Sequence, residues 1–177
     1  MSLDWYPTDA DWAAVDDVAV LGTAFVGGER LDAPALAERL APAVDDGLDA
    51  VADALGGWNG FFAVAADHED GAYLAVDHAR SRPLYYGAGL PVAASDCGNT
   101  LARRLGLDTD PEAFDRVAAA ELALSKAVVD DGTLLPEMKS VRPGEVVRLS
   151  ERDGELVVAT ADHHRHRPTT RLSEGEA

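Results

Sequence analysis

The segment "ADHHRHR" at residues 161–167 gathers Asp162, His163, His164 and His166, all side chains able to ligate a transition metal. Adjacent histidines on a strand face opposite ways, so of the three only His164 and His166 share a face, and two histidine ligands make a weak site. A thiol occurs once, at Cys97, which rules out an internal disulfide and a cysteine-rich metal site. No recognisable motif sets a histidine beside it, so Cys97 is expected to be a small buried apolar residue rather than a nucleophile. A third run, "LAVDHARSRPLYYG" at 74–87, places Asp77 three residues before Arg80 and sets Arg82 and Pro83 ahead of the pair Tyr85-Tyr86. Asp77 and Arg80 are expected to pair across a turn, with His78 a turn or surface residue. Pro83 fixes its own backbone and extends the residue before it, and the two tyrosines then point to opposite faces of a strand. One ring fills the core while the other seeks a polar partner. None of these sets calls for a cofactor.

The elements that must position these groups alternate in blocks. "DVAVLGTAFV" (17–26) is β-branched and apolar and ends at Gly27-Gly28, the pattern of a buried strand and a turn. From Asp32, a plausible N-cap, apolar residues recur at helical spacing to Leu55 with interruptions at Pro42 and Gly47, which predicts helices over 33–41 and 45–55. Two strand-like runs, 56–67 and 71–79, flank "HED" as a hairpin, and "RPLYYGAG" with "LPVAASD" forms a second pair. "CGNTLARRLG" reads as a helix, as does "DPEAFDRVAAAELALSK", with Asp110 as its cap and Pro111 at its first position. Two strands joined at Asp153-Gly154 close the pattern. The class is therefore α+β with a mostly antiparallel, mostly buried sheet. Residues 1–17 mix Pro, Asp and Trp without period and predict an irregular arm. Residues 18–164 form the domain, and 165–177 a disordered tail or linker.

Composition narrows the function classes. The 177 residues carry 32 acidic against 15 basic side chains, a formal charge of -17, and only Lys126 and Lys139 among the cations are lysines. There is no Ile and no Gln. Such a surface repels itself at low ionic strength and is screened at high salt, which reads as solvation in a salt-adapted cytoplasm. Nucleic acid needs a basic patch that this chain lacks. A membrane span is excluded too, because no apolar run approaches the length required.

The order of motifs carries a resemblance. "LGGWNGFFAVAADHEDGAYLAVDHARSRPLYYG" (55–87) resembles the middle of the class II glutamine amidotransferase domain of asparagine synthetases, where an "L-x-G-x-F-A-F" strand leads to an "A-R-D-x-x-G-x-x-P-L-Y-Y" hairpin. "VAASD" (92–96), which holds Ser95, resembles that family's "F-A-S-E" strand. "GTLLPEMKSVRPGEVVRL" (132–149), with Pro143 and Gly144, resembles its "T-x-F-x-x-I-x-x-L-x-P-G" segment. Upstream, "VAVLGTAFVGGERLDAPALAERL" (18–40) is similar to the strand, turn and helix around "N-G-E-I-Y-N". The resemblance implies a shortened N-terminal-nucleophile hydrolase-like αββα sandwich in which the hairpin motif is architectural.

The chemistry it implies is another matter. The family uses an N-terminal cysteine whose own amine is the general base; here Ser2 would be the exposed residue once Met1 is removed. An Asn-Gly pair supplies the family's oxyanion donors. The matching Leu21-Gly22 keeps only the backbone N–H of Gly22, and losing one such donor typically costs about 100- to 1000-fold in rate. "WNG" at 58–60 holds an Asn-Gly that is expected to bend the chain before Phe61. An Arg and an Asp bind the substrate's carboxylate and amine in that family, yet residues 1–17 contain no arginine, and Asp45 and Asp46 are the acidic counterparts available. The resemblance thus implies a non-catalytic amidotransferase-like domain. It would serve as scaffold or partner for an ATP-dependent amide-forming synthetase domain, in cis or in trans, because the chain has neither an "S-G-G-x-D-S" motif nor a Gly-rich phosphate loop. Two alternatives remain open: a glutamine amidohydrolase using Ser2, and a module that forms a homodimer through the edge of its last hairpin.

Overall fold

The computed structural model describes residues 2–8 and 10–165. The arm expected to be irregular contributes two short strands, β1 (Asp4–Trp5) and β2 (Ala13–Val15). Neither shows a periodic pattern, because each is held from outside rather than by its own alternation. The Asp4 N–H donates to the Val92 carbonyl at 2.8 Å and the Tyr6 N–H to Ala94 at 2.9 Å. Asp96 then accepts from the Thr8 N–H at 2.8 Å and from Trp12 Nε1 at 2.9 Å.

β3 (Val18–Val26) carries β4 (Glu29–Leu31) at its outer end and leads to the helices α1 (Ala33–Asp46) and α2 (Leu48–Gly56). The Asp32 carboxylate accepts the Ala35 N–H at 3.3 Å, the expected cap. Pro42 does not end α1, contrary to expectation. The proline leaves only the Glu38 carbonyl without its helical donor, and both residues are exposed, so water can take its place. The break falls at Gly47 alone, whose φ of 97° few side chains tolerate.

β5 (Trp58–His68) and β6 (Gly71–Val76) form the expected hairpin, and β10 (Glu145–Arg152) and β11 (Glu155–Asp162) form the last. The large sheet runs β11-β10-β6-β5-β3-β2, with every neighbouring pair antiparallel. The second predicted pair belongs to a separate sheet. There β7 (Tyr85–Gly87) lies between β8 (Ala93–Ser95) and β9 (Met138–Ser140), and β1 adds in parallel to β8.

Alternation decides what each face meets. Even-numbered residues of β5, such as Phe62 and Val64, pack with Val18, Val20 and Tyr73 against Leu36, Leu40, Val51 and Leu55 of the two helices. Odd-numbered Ala63 and Ala65, with Leu74 and Val76, face Leu84, Tyr86, Val92 and Ala94 of the small sheet. Leu101 and Ala102 of α3 (Gly98–Arg104) cover the far side of that sheet with Leu135 and Met138. The layers thus run helix pair, large sheet, small sheet, helix, a mixed α+β architecture with mostly antiparallel sheets. Tyr86 enters the core between the sheets while Tyr85 turns to the α3 side, the opposite facing that adjacent strand positions dictate.

The helix expected from Asp110 starts later. Pro111–Ala113 makes one 3-10 turn, Phe114 is extended and packs toward α3, and α4 (Arg116–Ser125) begins after Asp115. Asp115 displaces Asp110 as the cap because one of its oxygens accepts both the Val117 and Ala118 N–H groups at 2.8 Å. Among the described residues no helix is long and apolar enough to cross a membrane.

Candidate functional site

The "DHARSRP" turn is built around Asp77, which is fully buried. Its carboxylate accepts the Phe62 N–H at 3.2 Å, the Ala79 N–H at 2.8 Å, the Ser81 N–H at 3.1 Å and the Ser81 hydroxyl. Four donors satisfy a charge that would otherwise be costly to bury. The expected ion pair with Arg80 does not form, because Asp77 Oδ1 and Oδ2 are already occupied by the turn itself. Arg80 instead donates to the buried Ser140 hydroxyl at 3.1 Å. Arg82 and His78 are exposed, and Pro83 sets up the wholly buried Leu84. Ser95 is also structural: its hydroxyl donates to the Tyr6 carbonyl at 2.6 Å and accepts the Cys97 N–H at 3.0 Å.

Pro143 and Gly144 link this turn to the end of β11. Gly144 donates its N–H to the Asp77 carbonyl at 3.1 Å, and its own carbonyl accepts from His163 at 2.9 Å and His164 at 3.1 Å. The residue has a φ of 72°, and a Cβ there would lie 2.5 Å from the His164 carbonyl oxygen. Glycine is therefore required on both counts.

The residues matched to the amidotransferase chemistry are not brought together. The exposed Ser2 hydroxyl donates to Asp67 Oδ2 at 3.4 Å, and the Leu3 N–H donates to the same oxygen at 3.2 Å. Gly22 pairs with Phe62, five residues away along β5 and roughly 16 Å at the usual rise per residue. A nucleophile at Ser2 has no access to the Gly22 N–H. Leu21 is a buried apolar residue, as its type implies. Asp45 sits at the end of α1, 3.6 Å from His68 Nε2. Asp67 and His68 are neighbours on a strand and project to opposite faces, which puts Ser2 and Asp45 on opposite sides of the large sheet. Asp46 is exposed at the same helix end. Gly60 does serve close packing: a Cβ there would lie 2.2 Å from the Thr23 carbonyl oxygen.

The histidines diverge. His163 Nε2 lies 2.8 Å from the Val76 carbonyl and its ring stands 5.9 Å from Phe62, whereas the His164 ring lies 5.1 Å from that of His78, tilted by 47°. Burial lowers the pKa of His163, outweighing the Val76 contact that favours its charged form. Asp162 pairs with Arg165 at 2.9 Å. His166 and the tail from 166 lie outside the described residues. Among the described residues, no three His, Cys, Asp or Glu side chains are grouped to hold a metal.

Cys97 is half-buried rather than buried, because it occupies the N-cap of α3. Hydrogen bonding from Thr100 at the start of that helix lowers its pKa. It opens on a cleft of about 390 Å³ with Tyr85, Thr133 and Met138, and no histidine lines that cleft.

One polar cluster escaped the sequence reading. Glu145 is buried, accepts the Arg142 N–H at 3.0 Å, and binds the Arg142 guanidinium through Nε at 3.0 Å. Hydrogen bonding to Glu145 raises the pKa of Arg142. The three-residue spacing in "VRPGE" was the available signal. Nearby, burial pushes the Tyr86 phenol up to about 12, with the Asp131 and Glu145 carboxylates adding to it. Arg80, Arg142 and Arg165 line one cleft of about 500 Å³ where the β6–β7 and β9–β10 loops meet the end of β11.

Fold and site together define a four-layered α+β protein with mostly antiparallel sheets, in which the buried Asp77 and Ser95 brace turns. Compared with known proteins, the chain matches no family model and no curated protein sequence.

Proposed function

We propose that this chain is a glutamine amidotransferase-like domain, of N-terminal-nucleophile hydrolase type and related to that of asparagine synthetases. It keeps the scaffold without the glutaminase site and acts as scaffold or partner for an ATP-dependent amide-forming synthetase domain. The order of layers supports this reading, since two mostly antiparallel sheets packed face to face between helices are what the motif resemblance implies. The separation of Ser2 from Gly22 along β5 carries the loss of activity. Acyl transfer needs nucleophile and oxyanion donor within about 3 Å of one reacting carbonyl, and here a stretch of strand lies between them.

Two measurements test the reading. Ammonia release from glutamine in concentrated KCl is expected to stay at background for the wild type and for Ser2→Ala alike. Glutamine hydrolysis that disappears in Ser2→Ala overturns the loss of activity and establishes the amidohydrolase alternative. For the scaffold role, the tagged chain isolated at high salt is expected to bring with it an ATP-dependent synthetase domain, on the same polypeptide or a separate one. Isolation as a homodimer alone would instead support self-association.

A further inference from the structure

We propose that the cleft at Arg80, Arg142 and Arg165 binds a small oxyanion, a carboxylate or a phosphate group, with the Arg80 guanidinium as its main recognition element. Such a role is independent of any relation to amidotransferases. Among the described residues Arg80 has no carboxylate within 4.0 Å. Most of the described lysines and arginines likewise lack one, so it is the cleft and the held geometry, not the missing carboxylate, that set this half-buried cation apart. Among the described residues its one side-chain partner is neutral, the Ser140 hydroxyl at 3.1 Å, which engages one of its five N–H donors.

Arg80 is also held in place. Its backbone adopts a φ of 49°, a left-handed conformation uncommon outside glycine, and the Arg80 N–H donates to the Asp77 carbonyl at 2.9 Å. The Asp77 carboxylate secures the residues on either side, Ala79 and Ser81. The buried Ser140 then fixes the direction of the side chain. A guanidinium fork preorganised in this way loses little freedom on meeting a planar or tetrahedral oxyanion.

The other groups set the class of ligand. Arg142 is balanced by Glu145 and Arg165 by Asp162, so both add donors at the rim without adding net charge. Asp130 lines the same cleft and opposes dense negative charge, which disfavours polyphosphates and favours a ligand with one anionic group. His164 and Val128 complete the walls of a space of about 500 Å³, which suits a small molecule.

The test is a titration of the full chain with inorganic phosphate and, separately, with acetate, at constant ionic strength, followed by amide NMR shifts. Saturable shifts centred on Arg80, Val128 and His164 are expected with at least one of the two anions, and the tighter binder names the class. Arg80→Gln should weaken that binding about tenfold or more, the scale of losing a charge-assisted pair. Arg80→Lys, which keeps the charge and loses the fork, should fall between, and it carries the test if the Gln variant does not fold. Arg30→Gln, outside the cleft, should bind as the wild type does. Shifts that never saturate with either anion, or equal affinity in the wild type and the Arg80 variants, overturn the proposal.

Discussion

Asp77 and Phe62 bond to each other in both directions: the Asp77 N–H donates to the Phe62 carbonyl at 3.1 Å, and the Asp77 carboxylate accepts the Phe62 N–H at 3.2 Å. The side chain thereby continues the β5–β6 ladder past the last residue of β6 and starts the turn that holds Arg80. Oδ1 accepts one N–H, and Oδ2 faces Phe62 and both donors of Ser81. Asp77→Asn keeps the shape but sets an amide NH2 against a donor in either orientation. It should cost about 2–4 kcal/mol. For a chain of this size that corresponds to a melting temperature lower by roughly 4–16 °C, measurable by circular dichroism. A variant that melts with the wild type would show that the turn does not depend on the carboxylate.

Gly22 and Gly27 separate backbone strain from crowding. Both have positive φ, 106° and 61°, but a Cβ at Gly22 would lie 2.0 Å from the Phe61 carbonyl oxygen, while nothing stands within 4 Å of one at Gly27. Gly27→Ala meets strain alone and should lose about 1 kcal/mol. Gly22→Ala must also push β3 from β5, and about 3 kcal/mol or more is expected. Denaturant melts giving the two variants equal stability would rule out this close approach of the strands.

Much of the fold was legible because it rests on local signals. The β5–β6 hairpin, the Asp32 cap and the opposed tyrosines follow from alternation, capping and turn chemistry, and the structure contains each of them. What the sequence hid depends on partners distant in the chain. β1 is two residues long and exists because Val92 and Ala94 offer carbonyls to it, so no pattern within residues 1–17 could announce it. Spacing pairs Arg80 with the nearest acid, Asp77, but the turn's own donors occupy that carboxylate, and Ser140 lies 60 positions away. Ser2 and Gly22 looked compatible as types; only the register of β3 on β5 reveals how far apart they sit.

Tyr86 should govern alkaline stability. The phenol is pushed up to about 12 in the folded protein. It ionises near pH 10 when unfolded, so its contribution is complete below about pH 10 and is lost as pH rises from there toward 12. Tyr86→Phe removes this dependence, and the stability of the wild type minus that of the variant should fall through that range. A difference that stays constant from neutral pH into the alkaline range would contradict the raised pKa.

His163 should act at the opposite end of the scale. Burial lowers its pKa, so the folded state favours the neutral ring more than the unfolded state does. Its contribution is therefore complete above the unfolded value of about 6.5 and is lost as pH falls through and below it. His164, His78 and Asp77 are the charged or titrating groups that act on it, the two histidines opposing its protonation and the carboxylate favouring it. His163→Gln retains an amide N–H able to reach the Val76 carbonyl but cannot take up a proton. Many carboxylates also titrate in so acidic a chain, so the informative quantity is the stability of the wild type minus that of the variant, measured by urea melts from about pH 7 to pH 5. That difference should move against the wild type as the pH drops. Parallel curves would mean that His163 binds its proton equally well folded and unfolded, and that the contact with Val76 compensates for burial.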